Sequence, residues 1–236
     1  MKKMSVIVLV VLSLTIAGLA EAAKPKKRTR NANRLGAYGS VLVGQARYTG
    51  DQSGLEQDLV DFLTNRSAPT RDISVSSEQE DIGFQAIFGY RFNRYFAAEL
   101  GLVQFGELSS TVRGDIDQGD GFVPASVKFA FNVGGPLISA MGILPLGEKA
   151  EIYARAGYLF ASAEREISAR VDGQNGGASS VKGDSQDPVY GIGFAYHVNQ
   201  VYSIRAEYQK IDSVGQDGRT GTEDLNVIGL GILIRF

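Results

Sequence analysis

Residues 224–236 read D-L-N-V-I-G-L-G-I-L-I-R-F. Ile228, Leu230, Ile232, Ile234 and Phe236 fall on one parity, with Val227, Gly229, Gly231, Leu233 and Arg235 on the other. Successive side chains of a strand point to opposite faces, so this segment reads as a strand with one continuous apolar face and a terminal aromatic. Such an edge, left exposed in water, is a template for aggregation. A closed barrel in lipid removes the difficulty, because the last strand pairs with the first and the apolar face meets acyl chains.

The start of the chain is consistent with export. Lys2 and Lys3 precede an apolar run from Val6 to Leu19, and Ala20-Glu21-Ala22 forms a small-x-small cleavage site. That is the pattern of a secretory signal peptide. Residues 1–22 are therefore expected to be removed, residues 23–34 to form a basic periplasmic tail, and residues 35–236 to form the barrel. The chain has no cysteine, which excludes disulfides and a lipid-anchored N-terminal cysteine. Without the signal peptide the balance is 22 basic to 25 acidic residues. Lys24, Lys26, Lys27, Arg28, Arg30 and Arg34 all lie in the tail, which leaves a net charge of −9 from Leu35 onward. A nucleic-acid-binding domain carries its positive charge on a folded face, so no nucleic-acid partner is expected. The tail reads as a solvated segment, with anionic headgroups or cell-wall polymer as its sharper alternative contact.

Eight strand-like segments follow, at about residues 35–48, 80–92, 95–107, 126–144, 151–163, 188–198, 201–211 and 224–236. Tight turns at Asn93-Arg94, Gly147-Glu148-Lys149 and Asn199-Gln200 alternate with polar loops at about 49–79, 108–125, 164–187 and 212–223. Residues 129–147 carry no charge and invite a membrane helix, but Gly134-Gly135-Pro136 and Pro145 interrupt them, so a strand with its flanks is expected. Short turns at one end and long loops at the other are the asymmetry of an outer-membrane barrel, with its loops outward. Tyr90, Tyr158, Tyr190, Tyr196 and Tyr208 sit on the outward parity near strand ends, where an interfacial girdle belongs. The expected fold is all-β: an eight-stranded antiparallel up-and-down transmembrane barrel, with short periplasmic turns and long extracellular loops.

Counting from the turns places the interior charges. Glu99 follows the Asn93-Arg94 turn by five residues, Arg155 follows Lys149 by six, and Arg205 follows Gln200 by five. At about 3.3 Å per residue, all three stand roughly 16–20 Å from the periplasmic end, on the inward parity. Glu207 lies inward one layer further out. An eight-stranded barrel has room inside only for side chains, and charges there must pair. An ionic cluster of Glu99, Arg155, Arg205 and Glu207 is therefore expected, with Gln85 and Gln209 near it.

These segments resemble the OmpA-like family of eight-stranded outer-membrane barrels. The resemblance is carried by G-A-Y-G-S-V-L-V-G (36–44), F-G-Y-R-F-N-R-Y-F-A-A-E-L-G (88–101), I-L-P-L-G (143–147), E-I-Y-A-R-A-G-Y (151–158), I-R-A-E-Y-Q (204–209) and the final I-R-F. It implies an interior pair between Glu99 and Arg205. It also implies that Ile232, Ile234 and Phe236 serve as the signal read by the barrel-assembly machinery. No residue follows Phe236 in this sequence, so the peptidoglycan-binding domain carried by some members is not expected.

Chemistry is sparse. His197 is the single histidine and lies two residues from a periplasmic turn, so it reads as a polar residue of the barrel floor. Asp115, Asp117 and Asp120 resemble a calcium loop, but Gly119 stands where a ligand belongs and Ser126 where a bidentate glutamate is needed. No catalytic residue, metal or cofactor is expected. Leu55, Leu59, Phe62 and Leu63 recur at helical spacing and suggest a short amphipathic helix in the first loop. The expected function is a non-enzymatic outer-membrane protein with a filled polar lumen, serving the envelope or meeting surroundings through its loops. Its expected partners are outer-membrane lipids and lipopolysaccharide, the barrel-assembly machinery and an unidentified extracellular ligand. A lipid-modifying enzyme and a narrow small-solute channel are the alternatives.

Overall fold

The computed structural model describes residues 34–48, 70–78, 80–117, 119–216 and 221–236. Ala20, Ala22, the basic tail before Arg34 and the segment from Leu55 to Leu63 lie outside them. The described residues form ten strands: β1 (Gly36–Tyr48), β2 (Thr70–Glu78), β3 (Glu80–Arg91), β4 (Phe96–Gln104), β5 (Leu108–Asp117), β6 (Phe122–Leu146), β7 (Ala150–Val171), β8 (Gln174–His197), β9 (Tyr202–Gln216) and β10 (Gly221–Arg235).

They make eight staves. β2 continues into β3 and β4 into β5; β4 and β5 share the long neighbour β6, while β3 pairs with β4 and β2 with β5. The ring β1, β3, β4, β6, β7, β8, β9, β10 closes through β1–β10, and every pairing is antiparallel. One path from Val43, through Phe84, Gln104, Gly134 and Ser162, reaches β8 at Asp184. The opposite path, through Leu230 and Ala206, reaches β8 at Phe194, ten residues away. That stagger ties strand tilt to strand number in a closed barrel.

At one end the turns are short and side-chain-capped. Asn93 Oδ1 accepts the backbone N–H groups of Tyr95 and Phe96 at 2.7 and 2.9 Å, and Asn199 Oδ1 accepts those of Val201 and Tyr202 at 2.8 Å each. An asparagine that replaces a backbone acceptor in this way sets the turn locally. Residues 129–147 lie almost wholly in β6, as a strand.

The other end differs from the sequence expectation. Most of the described residues in the four polar segments extend strands instead of looping: β2 and β5 fill parts of the first two, β7 and β8 nearly all of the third, and β9 and β10 the fourth. Beyond the lipid both faces of a strand tolerate polar residues, so the alternation that marks a membrane strand disappears while the ladder hydrogen bonds persist. β7 and β8 meet in a two-residue turn, with φ of 50° at Asp172 and 72° at Gly173. Positive φ at both positions matches the right-handed twist of the strands it joins.

The wall faces lipid with aliphatic and aromatic side chains: Ile82 is 71% exposed, and Ile228 and Leu230 are each 65% exposed. Phe92, Tyr95, Phe96, Tyr196, Tyr202 and Phe236 belt the short-turn end, and Tyr158, Phe160, Tyr190 and Tyr208 the other. Inside, Tyr38, Ala97, Met141, Ile143, Tyr153, Ala195 and Leu233 form a small apolar cluster near the short turns. A larger one, including Tyr48, Phe105, Leu108, Val127, Phe129, Phe131, Leu159, Ile211 and Leu225, fills the interior toward the long hairpins.

Candidate functional site

Between the two apolar clusters lies a layer of charge. Glu99 comes from β4, Arg155 from β7, and Arg205 and Glu207 from β9; all four side chains are at most 1% exposed. Arg205 Nη1 donates to Glu99 Oε1 at 2.7 Å, and its Nη2 lies 2.7 Å from Glu207 Oε2. Arg155 reaches the same two carboxylates, Glu99 through a short contact with Nη2 and Glu207 with Nη1 at 3.0 Å. Each arginine thus bridges both glutamates, and the layer is neutral. Burying an ion costs several kcal/mol, offset only by close partners and additional hydrogen bonds.

Two tyrosines supply those hydrogen bonds. Tyr38 Oη donates to Glu99 Oε1 at 2.7 Å. Tyr153 Oη donates to Glu207 Oε2 at 2.7 Å and accepts from Arg205 Nε at 2.6 Å. The Arg205 guanidinium also lies 4.6 Å from the centre of the Tyr153 ring. Space for the rings comes from glycine: Tyr38 stands opposite Gly89 and Tyr153 opposite Gly193. A methyl group on Gly89 or Gly193 would lie 2.2 or 2.1 Å from the facing ring. The sequence reading overlooked both tyrosines, although an inward tyrosine facing an inward glycine was visible in the parity of the strands. Gln209 Nε2 donates to Gln85 Oε1 at 3.0 Å in the adjacent layer.

A second polar group forms the floor. Arg91 Nη1 donates to Glu151 Oε2 at 2.8 Å, and His197 Nε2 lies 3.3 Å from the same oxygen. Arg235 donates to Ser203 Oγ at 2.8 Å and points Nη2 at His197 Nδ1 from 3.3 Å. A guanidinium can only donate, so Nδ1 is the acceptor in this contact. Arg34 closes the floor from below by donating to the Glu148 carbonyl. Between floor and charged layer is a cavity of about 10 Å³, space for roughly one water. Among the described residues, no group of three or more His, Cys, Asp or Glu side chains is placed to hold a metal ion. Asp115 and Asp117 lie on β5, and Asp115 is bonded to Arg71 at 3.2 Å.

Nearer the hairpins, Asp187 lies inward and is 4% exposed. Ser185 Oγ donates to Asp187 Oδ2 at 2.7 Å and accepts from Gly215 N at 3.2 Å. The β8–β9 ladder ends below them, at Val189 and Ile211, so this clasp holds the two staves where the ladder no longer does.

Comparisons with known proteins identify the family. The model of the OmpA-like transmembrane domain matches residues 37–236. Outer membrane protein A of Yersinia pseudotuberculosis is 26% identical over 220 residues, which cover 89% of this chain and 56% of that protein. Outer membrane protein A of Klebsiella pneumoniae is 26% identical over 174 residues, covering 73% of this chain and 44% of that one. The chain thus spans about half the length of the curated relatives it matches. Among solved structures, the N-terminal β-barrel domain of Pseudomonas aeruginosa OprF is 11% identical with a TM-score of 0.41, over 85% of this chain and 98% of that one. The chain belongs to the OmpA-like transmembrane domain family and is a β-barrel of the Gram-negative outer membrane.

Proposed function

We propose that this protein is a closed, non-enzymatic scaffold of the outer membrane that holds long hairpins outside the cell. The observation carrying this reading is the neutral layer of Glu99, Arg155, Arg205 and Glu207 across the bore, with a packed apolar cluster stacked above it. An ion crossing that layer would have to displace buried charges from their partners, at several kcal/mol each. His197 supports the non-enzymatic side: its ring is engaged by Arg235, Ser203 and Glu151 at the short-turn end.

Within this reading, the short turns face the periplasm, and the basic tail lies there after cleavage behind Ala22. Ile232, Ile234 and Phe236 present the assembly signal, and the wall meets membrane lipid and lipopolysaccharide. The hairpins supply the surface for contact with the surroundings, as loops on rigid scaffolds commonly do.

Planar-bilayer recording tests the closed bore. The reading expects no steady unitary current from the wild-type protein and new current from Arg205→Ala together with Arg155→Ala. Steady conductance through the wild type, unchanged in that double variant, defeats it.

A further inference from the structure

Above the lipid, five strands continue as one open sheet in the order β2, β5, β6, β7, β8. Its inner face keeps the parity of the barrel interior, and successive rows across it are largely apolar. Leu108, Phe131, Arg165 and Val181 are lateral partners on β5, β6, β7 and β8. The row two residues nearer the tip holds Phe129 and Ile167, and the next holds Val127 and Ala169. Arg165 is the single charge in these three rows.

Arg165 has no anion. Among the described residues its one partner is the Phe129 ring, 5.0 Å from the guanidinium carbon, and its Nε is buried without an acceptor. The other inward arginines, Arg91, Arg155, Arg205 and Arg235, each donate to a described oxygen. Glu164 and Glu166 flank Arg165 in β7 but stand on the opposite face, where Glu164 pairs with Lys182 at 3.2 Å. A cation set against apolar surface leaves a demand for negative charge that no described group meets. An arginine presents its donors as a planar fork matched to a carboxylate.

Beside that fork the inner face is apolar and open. Val181 is 41% exposed although it points inward, and Ile167 and Ala169 are only partly buried. Above the Ser185 clasp, no described strand pairs with this edge of β8. From Arg165 to Ala169 the apolar track runs four residues, roughly 13 Å at the usual rise of a strand.

We propose that Arg165 and the inner face of β7 and β8 bind an amphiphilic carboxylate from outside the cell. Its carboxylate meets the Arg165 guanidinium beside Phe129, and its aliphatic chain lies along Ile167, Ala169 and Val181. A lone cation calls for a single negative charge, and the apolar rows around it disfavour a small, wholly polar anion. The site rests on the reading that the hairpin end faces outward, and names the kind of compound met there.

Proton–nitrogen NMR of the protein in phosphatidylcholine nanodiscs tests it, read at Arg165 Nε–H and the Val181 amide, with decanoate, decanol and acetate as probes. Decanoate should shift both signals saturably and bind at least tenfold more tightly than decanol or acetate. Arg165→Gln should weaken decanoate binding at least tenfold at the Val181 amide. Arg113→Gln, which removes an exposed cation from the outer face of β5, should leave it unchanged. Each variant is checked for a heat-modifiable gel shift, which reports the folded barrel. Equal decanoate binding by Arg165→Gln, equal binding of decanol or acetate by the wild type, or no saturable shift overturns the proposal. Nanodiscs leave both ends of the barrel accessible, so this result does not depend on orientation. Orientation is read separately, by protease cleavage at Asp172–Gly173 on intact cells, so its failure is distinguishable from failure of the site.

Discussion

Tyr153 lies across the bare backbone of Gly193, its partner in the β7–β8 ladder, and from there its hydroxyl reaches both Arg205 and Glu207. An alanine methyl at position 193 would lie 2.1 Å from the ring. Gly193→Ala should therefore swing the ring away and break both hydrogen bonds. Tyr153→Phe breaks the same bonds without the clash. Losing hydrogen bonds to charged groups costs about 1.5–3 kcal/mol each. Urea unfolding followed by gel shift should show both variants destabilised, Gly193→Ala the more. Full stability in Gly193→Ala would mean the ring does not need that space.

Removing Arg205 leaves Glu99 and Glu207 to share Arg155 alone. Breaking a buried pair by deleting one partner typically costs about 3–5 kcal/mol, because the remaining charge is uncompensated. Arg205→Ala should fall in that range, and adding Glu99→Gln should recover part of the loss. Strict additivity of the two substitutions in unfolding measurements would argue against direct coupling between them.

Asp187 gives the upper barrel a pH dependence. Burial lifts its pKa from 3.8 to about 6, against the hydrogen bonds from Ser185 and Gly215, which act the other way. A carboxyl group raised in the folded state favours folding when protonated. Its contribution is full below the unfolded value of 3.8 and is lost as pH rises through about 6. Acidification across that window should slow amide exchange at Val214 and Gly215, and Asp187→Asn should abolish the dependence. An unchanged pH profile in Asp187→Asn would assign the effect to another group.

The β7–β8 tip depends on two left-handed residues, Asp172 and Gly173. Gly173→Val places a branched side chain at positive φ, a cost of roughly 1–2 kcal/mol. Amide exchange at Val171 and Gln174 should rise, while the gel shift of the barrel stays the same, since the tip is remote from the membrane ladder.

Within the membrane, the fold was legible because water and lipid impose opposite demands on alternate residues. Tyr190, Ile192, Phe194 and Tyr196 against Gly191, Gly193, Ala195 and His197 state that contrast directly. Turn counting then placed Glu99, Arg155, Arg205 and Glu207 in neighbouring layers. Above the lipid the contrast vanishes: Gln174–Lys182 is strand with every residue exposed, and composition alone reads it as loop. The Asp172-Gly173 pair was the local sign of a hairpin there, a stronger signal than the polar flanks that obscured it. Asp187 was grouped with that loop for the same reason. The floor eluded sequence reasoning differently, because Arg91, Glu151, His197, Ser203 and Arg235 come from five strands, and only the stagger of the closed ring sets them at one height.

The β1–β10 seam joins Tyr38 to Arg235, and Phe236 N donates to Ala37 O at 3.2 Å. The two strands that complete the cylinder are thus the first and last of the described chain. Of the described strands, β1 finds its second neighbour only in β10, so its outer edge stays unpaired until β10 is in place. A ring not yet closed there presents an open border of unpaired backbone donors and acceptors, the kind of edge that recruits another chain.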